Sequence, residues 1–483
     1  MRRRTRTAIA CTCAAALAAS FGWAPASMAS SGQLTVMQDD GLVVHSGDEA
    51  RERTLDEFDA LGADIVKVQV YWREIAPGGS RKPNFDATNP DAYSWGAYDA
   101  AVRGIVARGM RPFLVLGNRA PSWARARRTH HDGTYRPDAS EFELFSRAAG
   151  TRYSGSHGGL PRVELWSIWN EPNLSSWLAP QRSRGGTPLS PSIYRRLYLA
   201  GWRGLRDSGH SGDTILLGEL MPLGARGRGK VPPLEFLREM ACLDSRYRPF
   251  RGRAARVRGC GSVGRIPTSG IAYHPYTPRG GPRARPRANE ASIGSLGRIT
   301  RVADAIARRG RLSSRVPVWI TEYGFQTDPP DPFQYPIGRV PGFMDVSEWL
   351  AFRNRRVASY SQYTLRDDRP NPGSIFRRYA GFQMGLRFAS GRPKPGVYAA
   401  FRMPFFVRLL SRNRVEVFGG LRTAGGGSAS IASRRGRGSY RPLGQPGLNS
   451  SGYFRAVLRA PGAARRTYRL QIGDFTRTKR AAR

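Results

Sequence analysis

Two glutamates stand where a carboxyl is poorly tolerated unless it has work to do. Glu171 sits in the middle of the run VELWSIWNEPNLSSWL at residues 163–178. Val163, Leu165, Ser167 and Trp169 alternate there with Trp166 and Ile168, the period of a strand, before the chain breaks at Asn170-Glu171-Pro172-Asn173. Glu322 lies within VWITEYGF at residues 318–325, where alternation puts Val318, Ile320 and Glu322 on one face. A buried or half-buried Glu is rare unless paired, and sites are where such a group is used. Hydrolysis of an acetal with retention needs two carboxyls of this kind. One attacks the anomeric carbon, and the other protonates the departing oxygen and then deprotonates water.

Strand and helix patterns alternate around the two acids. Strands are expected at residues 34–38, 65–72, 112–116, 163–169, 214–220, 270–276, 316–321 and 359–365. Helices are expected at 49–61, 95–108, 140–149, 194–208, 293–309, 346–358 and 396–403. About eight such repeats make an α/β chain of the (β/α)8 TIM-barrel type, assigned to residues 30–403. An open doubly wound sheet is the competitor, but no Gly-rich phosphate loop follows the first strand. A barrel places reactive groups at the carboxyl ends of its strands, where both glutamates fall. Glu322 follows Glu171 by 151 residues, room for three strand–helix units with generous loops.

Trp169-Asn170-Glu171-Pro172-Asn173 resembles the fourth-strand signature of the retaining glycoside hydrolases of clan A. Thr321-Glu322-Tyr323-Gly324 resembles the seventh-strand motif of the same clan. The resemblance implies that Glu171 is the general acid/base, that Glu322 is the nucleophile and that Asn170 holds the sugar hydroxyl next to the anomeric carbon. It also implies that His274 or Tyr276 orients the nucleophile, Tyr276 being the usual kind of donor; a satisfied strand-end histidine is the alternative for His274. No metal or organic cofactor is implied. Outside the two motifs the likeness, over residues 34–403, is one of layout, closest to the cellulase-like family 5 and the xylosidase/iduronidase-like family 39. Gln362-Tyr363 depart from the pattern, standing where many members keep a Trp under the substrate.

Other mouth positions follow from residue type. Trp72, Trp123 and Trp177 offer rings for sugar stacking, with core packing the alternative for Trp72. Arg73, Asn118 and Glu219 end strands two, three and five and are placed to meet hydroxyls, with plain loop polarity the alternative.

The chain has 77 basic against 36 acidic residues, a net of +41, and only five of the basic residues are Lys. Attraction to an anionic polymer is one reading of that excess. A coding bias that writes Arg wherever a surface cation is tolerated is the favoured one, since the Arg residues are spread through loops and helices alike. No specific nucleic-acid module accompanies them. Residues 1–29 have a basic head, an Ala-rich apolar middle and a small-residue cleavage site, which reads as a secretory signal peptide. Cys11 and Cys13 would leave with it. Cys242 and Cys260 then form an even pair in an exported chain, expected as a disulfide. No other membrane span is expected. Residues 404–475 read as a small β-sandwich and 476–483 as a disordered basic tail. The expectation is a secreted retaining glycoside hydrolase acting on a poly- or oligosaccharide. The alternative is a non-catalytic wall protein that binds carbohydrate or polyanion on a barrel scaffold.

Overall fold

The structure, a computed structural model, describes residues 32–126, 133–223, 229–261, 263–278 and 280–482. The expected leader at 1–29 lies outside the described residues. Eight parallel strands close into a barrel: β1 (Leu34–Gln38), β2 (Ile65–Tyr71), β3 (Arg111–Gly117), β4 (Leu165–Ile168), β5 (Thr214–Leu220), β6 (Gly270–Tyr273), β7 (Val318–Ile320) and β8 (Val357–Tyr363). Closure runs between β1 and β8, with Leu34 beside Ser359 and Gln38 beside Tyr363. Alternation sorts the strand residues into two layers. Ile65, Phe113, Val115, Leu165, Leu216 and Trp319 plug the barrel interior. Val66, Val68, Val70, Trp166 and Ile168 face outward into the core shared with the helices.

Two expected faces are wrong. Val318 and Ile320 belong to the outer layer, so Glu322 does not continue their face. β7 stops at Ile320, and the two residues beyond it turn into the barrel mouth. Trp169 likewise leaves the alternation of β4 and packs outside, against Phe142. The helix expected at 346–358 is found at Val340–Phe352, since Pro341 suits a first turn and Ala358 is taken by β8. The segment after β5 carries two helices that the pattern did not reveal, Pro233–Met240 and Gly252–Val257. The disulfide Cys242–Cys260 ties it, with a Cα–Cα distance of 5.8 Å. Arg195, from the helix Ser190–Leu205, donates into this loop to the carbonyls of Met240, Arg258 and Gly259.

Beyond the barrel, seven antiparallel strands form two sheets. β9 (Phe405–Ser411), β10 (Arg414–Gly420) and β13 (Tyr453–Arg459) make one, in the order β9-β10-β13. β11 (Ser430–Arg435), β12 (Arg441–Gly444), β14 (Arg466–Ile472) and β15 (Phe475–Arg480) make the other, in the order β12-β11-β14-β15. Phe405, Val407, Val415 and Val417 meet Ile431, Tyr468 and Leu470 in the sandwich core. The opposite face of the first sheet, with Phe406 and Phe418, packs on Trp349 and Phe352 of the helix Val340–Phe352.

The expected disordered tail is instead an ordered strand, β15, paired along its length with β14. Its cations explain why. Arg477 and Lys479 reach the buried carboxylate of Asp345, each at 2.7 Å. A buried carboxylate without a cation is costly, and these two supply it.

Candidate active site

The barrel mouth is built where the strands stop being regular. Asn118, Trp169, Glu171 and Glu219 have φ of 63, 66, 36 and 50°. A side-chain-bearing residue there costs on the order of 1–3 kcal/mol, and such residues collect at functional sites. All four lie at or just past the carboxyl end of a strand. Gly117 makes room for the reversal at Trp169, because a Cβ in its place would come within 2.5 Å of the Trp169 ring. The indole Nε1 of Trp169 donates to the Trp177 carbonyl at 2.9 Å, pinning the loop that carries Glu171. The Glu171 amide in turn donates to the Glu219 carbonyl at 3.0 Å.

These turns bring Glu171 and Glu322 together. Each has an oxygen in a group, completed by a His274 nitrogen, whose members all lie within 4.8 Å of one another. The Tyr276 hydroxyl donates to Glu322 Oε1 at 2.7 Å. His274 Nδ1 lies 3.0 Å from Glu171 Oε1, and its Nε2 lies 2.6 Å from Glu219 Oε2. The same Glu219 oxygen accepts from Lys67 Nζ at 2.7 Å and from the Thr321 hydroxyl at 2.8 Å. Lys67 also sits 3.7 Å from Glu322 Oε2. Three carboxylates and two cations thus share one small volume.

Neighbouring charges set the protonation there. Burial pushes the Glu219 carboxyl up, but Lys67 and His274 overcome it and bring it down to about 2. Burial pulls the His274 imidazolium down, yet the charge of Glu322 and the hydrogen bonds to Glu171 and Glu219 carry it up to about 9. Lys67 is likewise raised, because Glu219 and Glu322 outweigh its burial. For Glu322 burial wins and the carboxyl lies above its ordinary value, with His274, Lys67 and the Tyr276 hydroxyl pulling it back.

Glu171, His274 and Glu322 are also spaced as metal ligands would be. The donor set does not fit a cation. Both His274 nitrogens face carboxylate oxygens, the ring is held protonated, and the Lys67 ammonium already sits beside Glu322 and Glu219.

A cavity of about 430 Å³ opens over the two acids. Asn170, Gln69, Gln326 and Gln334 line it with amides, and Tyr71, Trp177, Tyr276, Tyr363 and Phe382 line it with rings. The Asn170 Oδ1, though buried, has no partner within the protein. Gly324 belongs to the same wall, and a Cβ there would come within 2.8 Å of the Tyr363 carbonyl. That close approach gives the glycine of the Thr321–Gly324 motif a steric reason.

Of the residues expected from sequence, Glu171, Glu322, Asn170, Trp177 and Tyr276 line this cavity, while His274 lies fully buried beneath it. Trp123 does not line it. Its Nε1 donates to the Pro77 carbonyl and its ring meets Trp72 and Phe85 edge-on, beside a separate basic groove formed with Arg81, Lys82 and Arg125. Asn118 is buried behind the wall, donating to Gln69 at 3.0 Å. Trp72 is core, stacked on Phe145. Arg73 points outward from the short helix Trp72–Ile75. Glu219 does not reach a hydroxyl site, because it is fully buried in its bonds to Lys67, His274 and Thr321. At the last strand Tyr363 faces the cavity, whereas Gln362 turns away and donates to the Tyr363, Thr364 and Met384 carbonyls.

Lys67 and Gln69 were missed, though their signal was present. In IVKVQVYW they occupy the positions that alternate with Val66, Val68 and Val70, so they must point inward.

No protein-family model and no curated protein matches the chain. Among solved structures, it is similar to GH5_18 from Streptomyces cattleya in complex with GlcNAc, with 16% identity, coverage of 77% of this chain and 79% of that one, and a TM-score of 0.48. It is also similar to a GH5_18 variant from Bifidobacterium longum subsp. longum in complex with Manb1-4GlcNAc, with 13% identity, 77% of each chain and a TM-score of 0.46. An exo-beta-1,4-mannosidase from Opitutaceae bacterium strain TAV5 has 14% identity, with 76% of this chain and 58% of that one covered and a TM-score of 0.43. No helix among the described residues is long and apolar enough to cross a membrane.

Proposed function

We propose that the protein is a retaining glycoside hydrolase in which Glu322 is the nucleophile and Glu171 the general acid/base. The observation that carries this reading is the approach of the two carboxylates, whose nearest oxygens lie within 4.8 Å under an open cavity. Retention calls for carboxyls roughly 5–5.5 Å apart, whereas inversion needs about 6.5–9.5 Å to seat a water between them.

In the first step Glu322 attacks the anomeric carbon and forms a glycosyl ester, while Glu171 gives its proton to the departing oxygen. In the second, Glu171 takes a proton from water, which hydrolyses the ester. The Tyr276 hydroxyl holds Glu322 Oε1, leaving Oε2 to attack. His274, as imidazolium, donates to Glu171 and lies 3.8 Å from Glu322, so it steadies both acids. One proton shared by the catalytic pair brings the cluster of three acids and two cations to neutrality, and that proton is the one the reaction moves. Asn170 supplies the unpaired acceptor for a hydroxyl next to the reacting carbon.

The N-terminal pattern and the disulfide support export of the enzyme. The polyanion-binding alternative is weakened by the cavity wall, where the described residues include two Glu and no Arg or Lys. The test is turnover of a panel of aryl glycosides by wild type and Glu322→Ala, with the product anomer followed by NMR. Retained configuration is expected. No turnover across the panel, together with tight polyanion binding that falls with salt, would leave the binding protein standing instead.

A further inference from the structure

The rim of the cleft carries aromatic rings into solvent. Phe333, in the turn after β7, is 42% exposed, and Phe376, on the short helix Ile375–Arg378 after β8, is 72% exposed. Their rings stack with centroids 4.7 Å apart and planes 8° from parallel. Phe382, 43% exposed, lines the cavity and meets Tyr363 edge-on at 5.1 Å. With Ile375, these make half of the large apolar side chains exposed among the described residues, all on the two segments that follow β7 and β8. Single exposed apolar residues need no explanation, but a contiguous set does.

Both supports are held in place. The Phe333 amide donates to Asp331 Oδ1 at 3.0 Å. Asp368 and Phe382 close the base of the second arm with two bonds, from the Phe382 amide to Asp368 Oδ2 at 2.7 Å and from the Asp368 amide to the Phe382 carbonyl at 2.9 Å. Phe333 is followed directly by Gln334 and Tyr335, which line the cavity. The aromatic surface therefore continues the wall of the cleft outward, along both loops.

We infer that Phe382 and the Phe333–Phe376 pair form a platform for the sugars of an oligosaccharide beyond the unit held over Glu322. The inference rests on the glycosidase reading and extends it from a single sugar to a chain. A pyranose presents a C–H face that packs on a ring, and one ring suffices for each sugar. A protein partner would need about 800 Å² a side, far more than these side chains offer. The unit in the cavity is neutral, because the described residues lining the cavity include no Arg or Lys, in a chain with 77 basic residues; Arg377 and Arg378 stand exposed on the helix that carries Phe376.

The test compares Phe376→Ala and Phe333→Ala with wild type on an aryl monoglycoside, which ends short of the platform, and on a ladder of neutral oligosaccharides of the same sugar. The ratio of kcat/KM for the longest oligosaccharide to that for the aryl glycoside is expected to fall about three- to tenfold in each variant, through KM. An unchanged ratio overturns the platform. So does a loss confined to adsorption on phosphatidylglycerol vesicles, which would make the rim a membrane contact. Should wild type cleave neither substrate, the hydrolase reading fails by itself. Calorimetric binding of the longest oligosaccharide, weakened by Phe376→Ala or not, then still decides whether the platform exists.

Discussion

At the seam between the barrel and the sandwich, Glu348 is buried against the Arg422 guanidinium and the Tyr453 hydroxyl, the latter at 2.7 Å. Asp345, three residues earlier on the same helix, accepts from the Phe405 amide at 2.9 Å as well as from Arg477 and Lys479. At the barrel mouth, Glu219 is buried against Lys67 and His274 in much the same way. Residue types and burial are alike, and what differs is the balance. The seam sets three cations against two acids and packs Arg422 over the Phe401 ring at 4.0 Å. The mouth sets two cations against three acids and opens two of them, Glu171 and Glu322, to a cavity, with Glu171 and Glu219 on backbone held in the left-handed region. Buried charge alone therefore does not mark a site. An acid in excess of its cations, open to a cavity, is what sets the mouth apart.

Substitutions at the two places should separate along that line. Glu322→Ala should lower kcat by roughly 10⁴–10⁶-fold. Azide should restore part of the turnover with inverted product, while removal of one of three crowded acids leaves the melting temperature unchanged or higher. Glu171→Ala should cost about 10²–10⁴-fold in kcat, read with the same substrates. At the seam the costs reverse. Glu348→Ala leaves Arg422 buried without its acid and should destabilise by about 3–5 kcal/mol in urea unfolding, with kcat per folded molecule unchanged. A seam variant that stays stable but loses kcat would break the contrast.

His274 sharpens it through pH. Its folded-state value of about 9 lies above the ordinary 6.5. Its contribution to stability, about 3 kcal/mol, is therefore present in full below pH 6.5 and is withdrawn as pH rises through 9. Unfolding of wild type and His274→Gln across that window should show the difference between them shrinking, and a constant difference would contradict the assignment. Smallest in reach is reduction of Cys242–Cys260. It should cost at most about 3 kcal/mol and speed proteolysis between the two cysteines, while the circular dichroism of the barrel persists.

The architecture and the two acids that meet at the barrel mouth were legible in the sequence because each rests on a local signal: alternation for β2 to β5, and an acid just past an apolar strand for Glu171 and Glu322. The facing of Glu322 was not legible, since it depends on β7 ending at Ile320, and alternation is silent beyond the last paired residue. Glu219 read as a strand-end acid placed to meet a hydroxyl, with plain loop polarity as the alternative, because its partners Lys67 and His274 come from β2 and the end of β6. Only barrel closure brings those together. Trp123 and Asn118 were placed in the cleft by residue type, and the loops that carry them turn the side chains behind its wall. The last strand was mistaken for a loose tail because Arg477 and Lys479 count only as charge until Asp345 is seen beneath them.

That last pairing imposes an order in time on synthesis. Asp345 leaves the ribosome 132 residues ahead of Arg477, so while that last stretch is being made the helix that leads into β8 carries an acid whose counter-ions do not yet exist. The barrel can wind early, but its outer surface there stays unsealed until the final strand arrives. A nascent chain stalled before residue 475 would expose that fault to quality-control proteases, and the finished chain would not.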